Sequence, residues 1–258
     1  MFSHGNGGRF RNHYITAQAL ANAGYIVIAP QHDADYLVGG NKTAQVLNYR
    51  YQQLKRALHI VRDKPQFRDH IAPTPVHGVG YSLGGATIML ASGAGFSSEL
   101  TDQYCRQKED LDPEFCNGPS IYQMLASLIR DEPNLGPKQD PFRNPPLITG
   151  KAILIAPVFH GLDLQQPLTT SSLTVIGIAG DQIAKPELHA KPLVTQAKEQ
   201  TTANFTSVQG HHFAFIAPFP KWLTDKEDIP VAKDPAGFNR PDFLATVNAI
   251  IVKAMLED

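Results

Sequence analysis

Gly80-Tyr81-Ser82-Leu83-Gly84-Gly85 is the stretch that determines the predicted fold, because it joins two segments of different character. The apolar run 76–81 predicts a short buried strand, and 83–91 predicts a helix that starts at once after it. A serine in so sharp a turn must hold a strained backbone, and its neighbours two positions away must be small. The turn lifts the Ser82 hydroxyl clear of the sheet. It also places the next N–H groups at a helix N-terminus, where negative charge is favoured.

Outward from this turn, strand and helix patterns alternate along the chain. Further buried strands are predicted at 25–29, 151–156, 173–179 and 204–208, and further helices at 10–23, 42–63 and after the N-cap Asn239. The predicted buried stripes are Leu47, Tyr51, Leu54, Leu58 and Val61 on the long helix, and Phe243, Val247, Ile250 and Ala254 on the last. This alternation is typical of an α/β fold, a mainly parallel sheet flanked by helices.

Composition excludes several classes of protein. The 258 residues carry 23 Lys and Arg against 24 Asp and Glu, so no basic excess favours a nucleic-acid partner. No apolar stretch approaches the roughly 18 residues that span a bilayer, so no transmembrane segment is predicted. The strands are too apolar for a disordered chain.

Residues 97–146 interrupt the alternation and are predicted to be an insertion. The stretch is polar and proline-rich and, at about 50 residues, is too long for an ordinary connection. We expect it to form a cap over one edge of the sheet, inside a single domain that spans 1–258. Residues 218–237 are predicted to be a smaller excursion of the same kind.

Cys105 and Cys116, the two cysteines of the chain, both lie in this insertion. A disulfide between them would restrict the unfolded chain and contribute roughly 2–3 kcal/mol, and two ordinary thiols are the alternative. Because the insertion lacks an apolar core of its own, we favour the disulfide. A disulfide would indicate an oxidising compartment, periplasmic or secreted. The sequence otherwise leaves the localisation open.

A nucleophilic Ser82 needs a base, and the pair His211-His212 follows the last predicted strand. His212 is the better candidate, because the following Phe213-Ala214-Phe215 can wedge against the core and hold its loop. His211 is then a pocket or surface side chain. A metal site on this pair is disfavoured, since adjacent residues point apart and no further ligand lies near in sequence.

The acid that orients the base is expected at the end of an earlier strand. Asp181 follows the apolar run 173–179 and would accept a hydrogen bond from Nδ1 of His212. A helix-capping or turn aspartate is the alternative interpretation, and Asp163 is the reserve candidate. The sequence His32-Asp33-Ala34-Asp35 is interpreted as a solvated loop that could line the cleft, in preference to a metal site.

The glycine-rich loop His4-Gly5-Asn6-Gly7-Gly8 would let its backbone pass close to a substrate oxygen. The N–H of Asn6 would pair there with that of Leu83 to form an oxyanion hole. A glycine-rich loop is more often only a turn, but this one lies before the first helix and upstream of the serine. That position favours the oxyanion hole.

Together these motifs resemble the α/β-hydrolase branch often labelled "predicted dienelactone hydrolase", which is related to platelet-activating-factor acetylhydrolases. The likeness covers nearly the whole chain, including the cysteine pair and Gly237-Phe238-Asn239-Arg240 before the last helix. The resemblance implies a serine carboxylester hydrolase with Ser82, Asp181 and His212 as catalytic residues and Asn6 and Leu83 at the oxyanion hole. Two features depart from the family. Position 82 is serine where dienelactone hydrolases have cysteine, and the acid follows Gly180 directly, with the proline arriving late at Pro186.

The function expected from the sequence is ester hydrolysis through an acyl-enzyme, on a small-molecule or lipid-like substrate and without a cofactor. Amide or thioester hydrolysis on the same triad is one alternative. A non-catalytic binding protein with this fold is the other. The sequence says nothing about oligomeric state. In the family's fold two strands precede the oxyanion loop, so the sheet is expected to be N-terminally shortened here, and a late start or truncation to be the reason.

Overall fold

The computed structural model describes residues 1–38, 42–72, 75–117, 132–224 and 230–257, without the side chains of 223 and 230. Its strands are β1 (Phe2–Ser3), β2 (Gly78–Tyr81), β3 (Gly95–Phe96), β4 (Phe142–Arg143), β5 (Lys151–Ile155), β6 (Leu162–Asp163), β7 (Ser172–Ile178) and β8 (Thr202–Val208). Its helices are α1 (Tyr14–Asn22), α2 (Thr43–Asp63), α3 (Pro65–Arg68), α4 (Leu83–Ala91), α5 (Ser98–Lys108), α6 (Pro113–Cys116), α7 (Ala190–Ala197), α8 (Lys221–Thr224) and α9 (Arg240–Leu256). Single 3-10 turns lie at Phe10–His13, Asp35–Leu37, His212–Phe215 and Pro230–Ala232.

The central sheet has the order β1-β2-β5-β7-β8, and every neighbouring pair in it is parallel. Ser3 is in register with Gly80, Tyr81 with Ile155, and Ile178 with Val208. The carboxyl ends of these strands therefore meet at one edge. This is the edge at which ligands bind in open parallel sheets. The parallel sheet flanked by helices confirms the predicted α/β architecture.

Both faces of the sheet are buried, and the strand residues alternate between two cores. Ala152 and Leu154 of β5 pack in one core with α2, α4 and α7. Ile153 and Ile155 of the same strand pack in the other core with α1 and α9. A parallel strand with helices on both sides has no solvent face, so its sequence is continuously apolar.

The predicted strand at 25–29 is wrong, although the helix before it does end at a glycine, Gly24, as expected. Residues 25–30 form no strand, and Ile26 is 38% exposed. The one backbone bond recorded between this segment and the sheet runs from Phe2 N–H to the Ile28 carbonyl, at 2.8 Å. The neighbour of this segment in the sheet is β1, a strand of only two residues. Such a strand is too short to form a ladder of hydrogen bonds with residues 25–30.

Two predicted helices agree closely with the structure, and their buried faces need a correction. The long helix α2 buries Leu47, Tyr51, Leu54 and Leu58, but Val61 is only half-buried. On α9 the Asn239 side chain caps the Asp242 N–H as expected. Ile250 and Ala254 are only half-buried there, and the buried stripe consists of Phe243, Leu244, Val247, Ile251 and Met255.

Part of the insertion 97–146 is described, and its residues 118–131 lie outside the described part of the chain. A disulfide joins Cys105 of α5 to Cys116 of α6, which confirms the predicted pairing. Strands β3 and β4 pair antiparallel with each other, and β3 pairs with β6 in a small second sheet. The sequence did not predict this sheet, because two-residue strands leave no periodicity. That the insertion forms a cap stays a prediction, as does the excursion at 218–237, of which 225–229 are not described.

Among the helices that the structure describes, none has the length and apolar character needed to cross a membrane.

Candidate active site

Ser82 lies between β2 and α4 with backbone angles of φ 53° and ψ −122°. A positive φ is rare for a residue with a side chain and is held here by the surrounding structure. The Ser82 N–H donates to the Ile155 carbonyl at 2.9 Å, which ties the turn to the neighbouring strand. The strained turn is thus fixed at the carboxyl edge of the sheet.

Gly80 and Gly84 let the strand and the helix approach each other around this turn. A Cβ on Gly80 would lie 2.4 Å from the Gly84 carbonyl oxygen. A Cβ on Gly84 would lie 1.9 Å from the carbonyl oxygen of Ser3, in β1. Both contacts are with backbone, which cannot turn aside as a flexible side chain would. The two glycines are therefore required by close packing.

His212 lies between Ser82 and Asp181. Its Nε2 is 3.1 Å from Ser82 Oγ, and its Nδ1 is 2.6 Å from Asp181 Oδ2. A carboxylate facing Nδ1 holds the proton on that nitrogen, which leaves Nε2 free to accept the serine proton. All three side chains are buried. The three side chains thus form one buried, hydrogen-bonded chain.

The Asp181 carboxylate is oriented by its own loop. Its Oδ1 accepts the N–H groups of Ile183 and Ala184, each at 2.8 Å, so its Oδ2 is left to face His212. The preceding Gly180 brings this loop against the histidine loop, because a Cβ there would lie 2.2 Å from the Gly210 carbonyl oxygen. The Gly180-Asp181 sequence thus brings the Asp181 carboxylate to His212.

Asn6 and Leu83 both line the cavity that opens on Ser82. The loop His4-Gly5-Asn6-Gly7-Gly8 follows β1, and Leu83 is the first residue of α4. Neither the N–H of Asn6 nor that of Leu83 donates a hydrogen bond to another described residue. Free N–H groups of residues that share a cavity with a serine hydroxyl can stabilise a negatively charged oxygen.

The cavity beside Ser82 has a volume of about 640 Å³. Its walls come from the loop after β1, the start of α2 and the described parts of the insertion, and the disulfide is part of the wall. The lining combines apolar and polar side chains: Val38, Thr43, Ser98, Thr101, Asp102, Cys105, Glu114, Phe115, Cys116, Lys138, Asp140, Val158 and Ile183.

The reserve candidates have partners of their own. His211 Nε2 lies 2.9 Å from Asp234 Oδ1, in a pair that also contacts Arg240. Asp163 lies in the small antiparallel sheet, where its Oδ2 is 3.1 Å from Arg143. Neither side chain is part of the hydrogen-bonded chain on Ser82.

The segment His32-Asp33-Ala34-Asp35 is not the solvated loop that the sequence suggested. Asp33 is exposed, but His32 and Asp35 are buried and bonded to a buried Arg50 network. Sequence reasoning missed Arg50 altogether. Its position was the available signal, because Arg50 lies three residues after Leu47 and four before Leu54, on the apolar face of α2.

His4 of the glycine-rich loop 4–8 is also buried. Its Nδ1 donates to the Gly5 carbonyl at 2.8 Å and its Nε2 accepts the His32 N–H at 3.0 Å. Burial first, and then the Arg50 charge, lower the pKa of His4 to about 3. The imidazole is therefore neutral near pH 7 and serves as a fixed donor and acceptor.

Among the described residues, no group of three or more His, Cys, Asp or Glu side chains is arranged to hold a metal ion.

Proteins similar to this chain were found among solved structures. No family model matches the sequence and no curated protein matches it, so the resemblance to the dienelactone-hydrolase branch stays a prediction. One similar structure is the carboxylesterase Cest-2923 from Lactobacillus plantarum WCFS1. The match has 13% identity and a TM-score of 0.41, and it covers 99% of this chain and 82% of that chain. At that level of similarity the function of this chain has to be inferred from the geometry around Ser82.

Proposed function

We propose that this protein is a serine hydrolase that cleaves carboxylic esters through an acyl-enzyme. The observation that carries the proposal is the continuous chain from Ser82 Oγ through both ring nitrogens of His212 to the oriented carboxylate of Asp181. A merely structural histidine would not need a serine held at a positive φ on one side and a buried acid on the other.

In the first half of the reaction, Ser82 Oγ attacks the ester carbonyl carbon while His212 Nε2 takes the hydroxyl proton. The negatively charged oxygen of the tetrahedral intermediate accepts the N–H groups of Asn6 and Leu83. When the intermediate collapses, the bond to the alcohol oxygen breaks and that oxygen takes the proton from Nε2. The acyl group remains on Ser82. Asp181 stays ionised and stabilises the imidazolium.

In the second half, water replaces the alcohol. His212 Nε2 takes a proton from the water as its oxygen attacks the acyl carbon, and the same two N–H groups hold the second intermediate. Collapse breaks the bond to Ser82 Oγ, which regains its proton from Nε2, and the carboxylic acid leaves. This chain's residues supply each proton transfer, so the proposed reaction uses no cofactor.

The substrate class follows from the cavity and the sequence resemblance. A cavity of about 640 Å³ with mixed apolar and polar walls fits a small-molecule or lipid-like ester. The same triad also permits amide and thioester hydrolysis. A panel of matched oxygen-ester, thioester and anilide substrates ranks the three, and we expect the oxygen esters to be turned over fastest.

The test of the nucleophile is covalent labelling. A fluorophosphonate probe should attach to Ser82 in the wild-type protein and not in Ser82→Ala, which should also lose turnover of p-nitrophenyl acetate. Ser92→Ala is the matched control, because Ser92 is buried at the opposite end of α4 and its hydroxyl donates to the Ile88 carbonyl. Full turnover by Ser82→Ala would overturn the proposal. A folded wild-type protein that neither reacts with the probe nor hydrolyses any ester would favour a non-catalytic binding protein.

A further inference from the structure

We propose that the buried ion pair of Arg50 and Asp35 positions the oxyanion loop for catalysis. This inference rests on the proposed function. The pair lies outside the catalytic triad, and its side chains do not line the cavity. It acts by holding the His4–Gly5 and Asn6–Gly7 peptide groups, which flank the Gly5–Asn6 peptide, and by connecting them to the start of α4.

Arg50 reaches the loop from the buried face of α2. Its guanidinium is fully buried, and Nη1 donates to Asp35 Oδ1 at 2.6 Å. Its Nη2 donates to the His4 carbonyl and to Ser3 Oγ, the latter at 3.2 Å. The His4 carbonyl belongs to the His4–Gly5 peptide, which directly precedes the Gly5–Asn6 peptide that carries the Asn6 N–H. Arg50 therefore fixes the chain as it enters the oxyanion loop.

Asp35 fixes the other side of Asn6. Its Oδ2 accepts the N–H of Gly7 at 3.1 Å, and the N–H of Gly8 donates to the Gly5 carbonyl at 3.1 Å. Gly7 has a φ of +66°, which turns the loop at this point. With the two following N–H groups taken, the N–H of Asn6 is left without an internal acceptor. The loop is thus arranged to present that one donor.

The same arginine is linked to the second donor. Arg50 Nε donates to Thr87 Oγ1 at 2.9 Å, and Thr87 Oγ1 donates to the Leu83 carbonyl at 3.0 Å. Leu83 supplies the other N–H of the hole, so one side chain connects both halves of it. A guanidinium suits this role, since its planar fork presents several donors at fixed angles.

Stability alone is a poor explanation for this pair. Burying two charges removes them from water, and replacing a buried ion pair by apolar residues of similar volume is often neutral or stabilising. What apolar residues cannot replace are the bonds to the His4 carbonyl and the Gly7 N–H. Loss of these bonds would let the Asn6 N–H move away from the position where the oxyanion forms, which lowers kcat more than it changes substrate binding.

The test compares two double variants that each remove one Arg–Asp pair. In Arg50→Met/Asp35→Leu we expect kcat for p-nitrophenyl acetate to fall about 100-fold, close to the loss of one oxyanion donor, with KM nearly unchanged. Affinity for a trifluoromethyl ketone, which forms a tetrahedral adduct on the serine, should fall by a similar factor. The control Arg143→Met/Asp163→Leu removes the pair of the small antiparallel sheet and should keep the wild-type kcat.

Folding is monitored by circular dichroism, and active sites are counted by titration with the fluorophosphonate. If the double variant does not fold, Thr87→Val supplies the test, because it keeps a buried side chain of similar shape and removes only the link between Arg50 and the Leu83 carbonyl. We then expect a smaller fall in kcat at constant KM. A folded double variant or Thr87→Val with wild-type kcat would overturn the inference while leaving the proposed function intact. An inactive, unlabelled wild-type protein would overturn both.

Discussion

The hydroxyl of Tyr81 donates a hydrogen bond of 2.7 Å to the backbone carbonyl of His212. The two rings also pack together, with centroids 5.2 Å apart. Burial, followed by the nearby Asp181 carboxylate, raises the pKa of Tyr81 well above its usual range, so the hydroxyl stays protonated and donates. The residue before the proposed nucleophile Ser82 therefore holds the loop that carries the proposed base His212.

Tyr81→Phe tests this contact, because it keeps the ring and removes the hydrogen bond. We expect kcat to fall roughly 10-fold, less than the ~10²-fold that a full 1 Å misplacement can cost. The orphaned His212 carbonyl should lower the free energy of unfolding by about 1–3 kcal/mol. Tyr51→Phe is the matched control, since Tyr51 donates to the Pro145 carbonyl at 2.6 Å, away from the triad. It should lose stability and keep kcat; equal kcat losses in the two variants would contradict the prediction.

Asp181→Asn separates the two acid candidates. An asparagine beside Nδ1 stops selecting the required tautomer, so kcat should fall roughly 10³–10⁴-fold while the protein stays folded. Asp163→Asn weakens a half-exposed ion pair with Arg143 and should change kcat little. Steady-state kinetics on both variants decides between them. The opposite ranking would identify Asp163 as the acid.

The disulfide between Cys105 and Cys116 lines the cavity, so its loss should affect selectivity as well as stability. In Cys105→Ser/Cys116→Ser we expect a loss of roughly 2–3 kcal/mol in the free energy of unfolding. The kcat/KM of bulky acyl esters should rise relative to that of acetate esters, because the wall is less constrained. Mass spectrometry of the unreduced wild-type protein should show the linked peptides. Two alkylatable thiols, or an unchanged selectivity, would contradict this account.

The buried His13 should contribute to the loss of folding stability at low pH. Burial lowers its pKa to about 3, while an exposed histidine has a pKa of about 6.5. Its effect on stability is absent above about pH 6.5. Below that pH, His13 binds a proton in the unfolded chain but not in the folded chain, so the free energy of unfolding decreases as the pH falls toward 3. The Tm of His13→Phe should therefore fall less between pH 7 and pH 4 than the Tm of the wild type.

At pH 8 the substitution His13→Phe should lower the free energy of unfolding by about 1 kcal/mol, because the hydrogen bond from the His13 ring to the Phe215 carbonyl is lost. His59→Gln is the control, as its side chain is 76% exposed on α2, and it should leave the pH dependence of Tm unchanged. Parallel Tm curves for His13→Phe and the wild type would show that His13 does not contribute.

The parts of the fold that the sequence predicted share strong periodicity. The helix after Ser82 begins and ends where the apolar run does, and α2 follows its apolar stripe. The segment 25–29 is apolar enough to resemble a buried strand, yet a strand also needs a partner of matching length, which sequence periodicity does not report. The strands of the small sheet were not predictable either, because two residues are too few to show a periodicity.

The candidate site was predictable where a residue stands at a strand end, as with Ser82, Asp181 and His212. Asp181 and His212 lie 31 positions apart in sequence, and the parallel sheet brings their loops together. The supporting residues were not predictable in this way. Arg50 and Asp35 are charged side chains whose burial depends on partners 15 to 47 positions away, and no local pattern gives such distances.

All nine residues of α4 are buried, so the helix that follows Ser82 has no side facing water. A library of random substitutions in α4 would contain few tolerated variants, and α4 offers no exposed position for a label or a cross-link. Efforts to change the substrate selectivity of the proposed hydrolase should instead diversify the exposed cavity-wall positions Asp102, Glu114, Lys138 and Asp140. Buried α4, which supports Ser82, therefore tolerates few substitutions, whereas the exposed residues of the cavity wall can be varied.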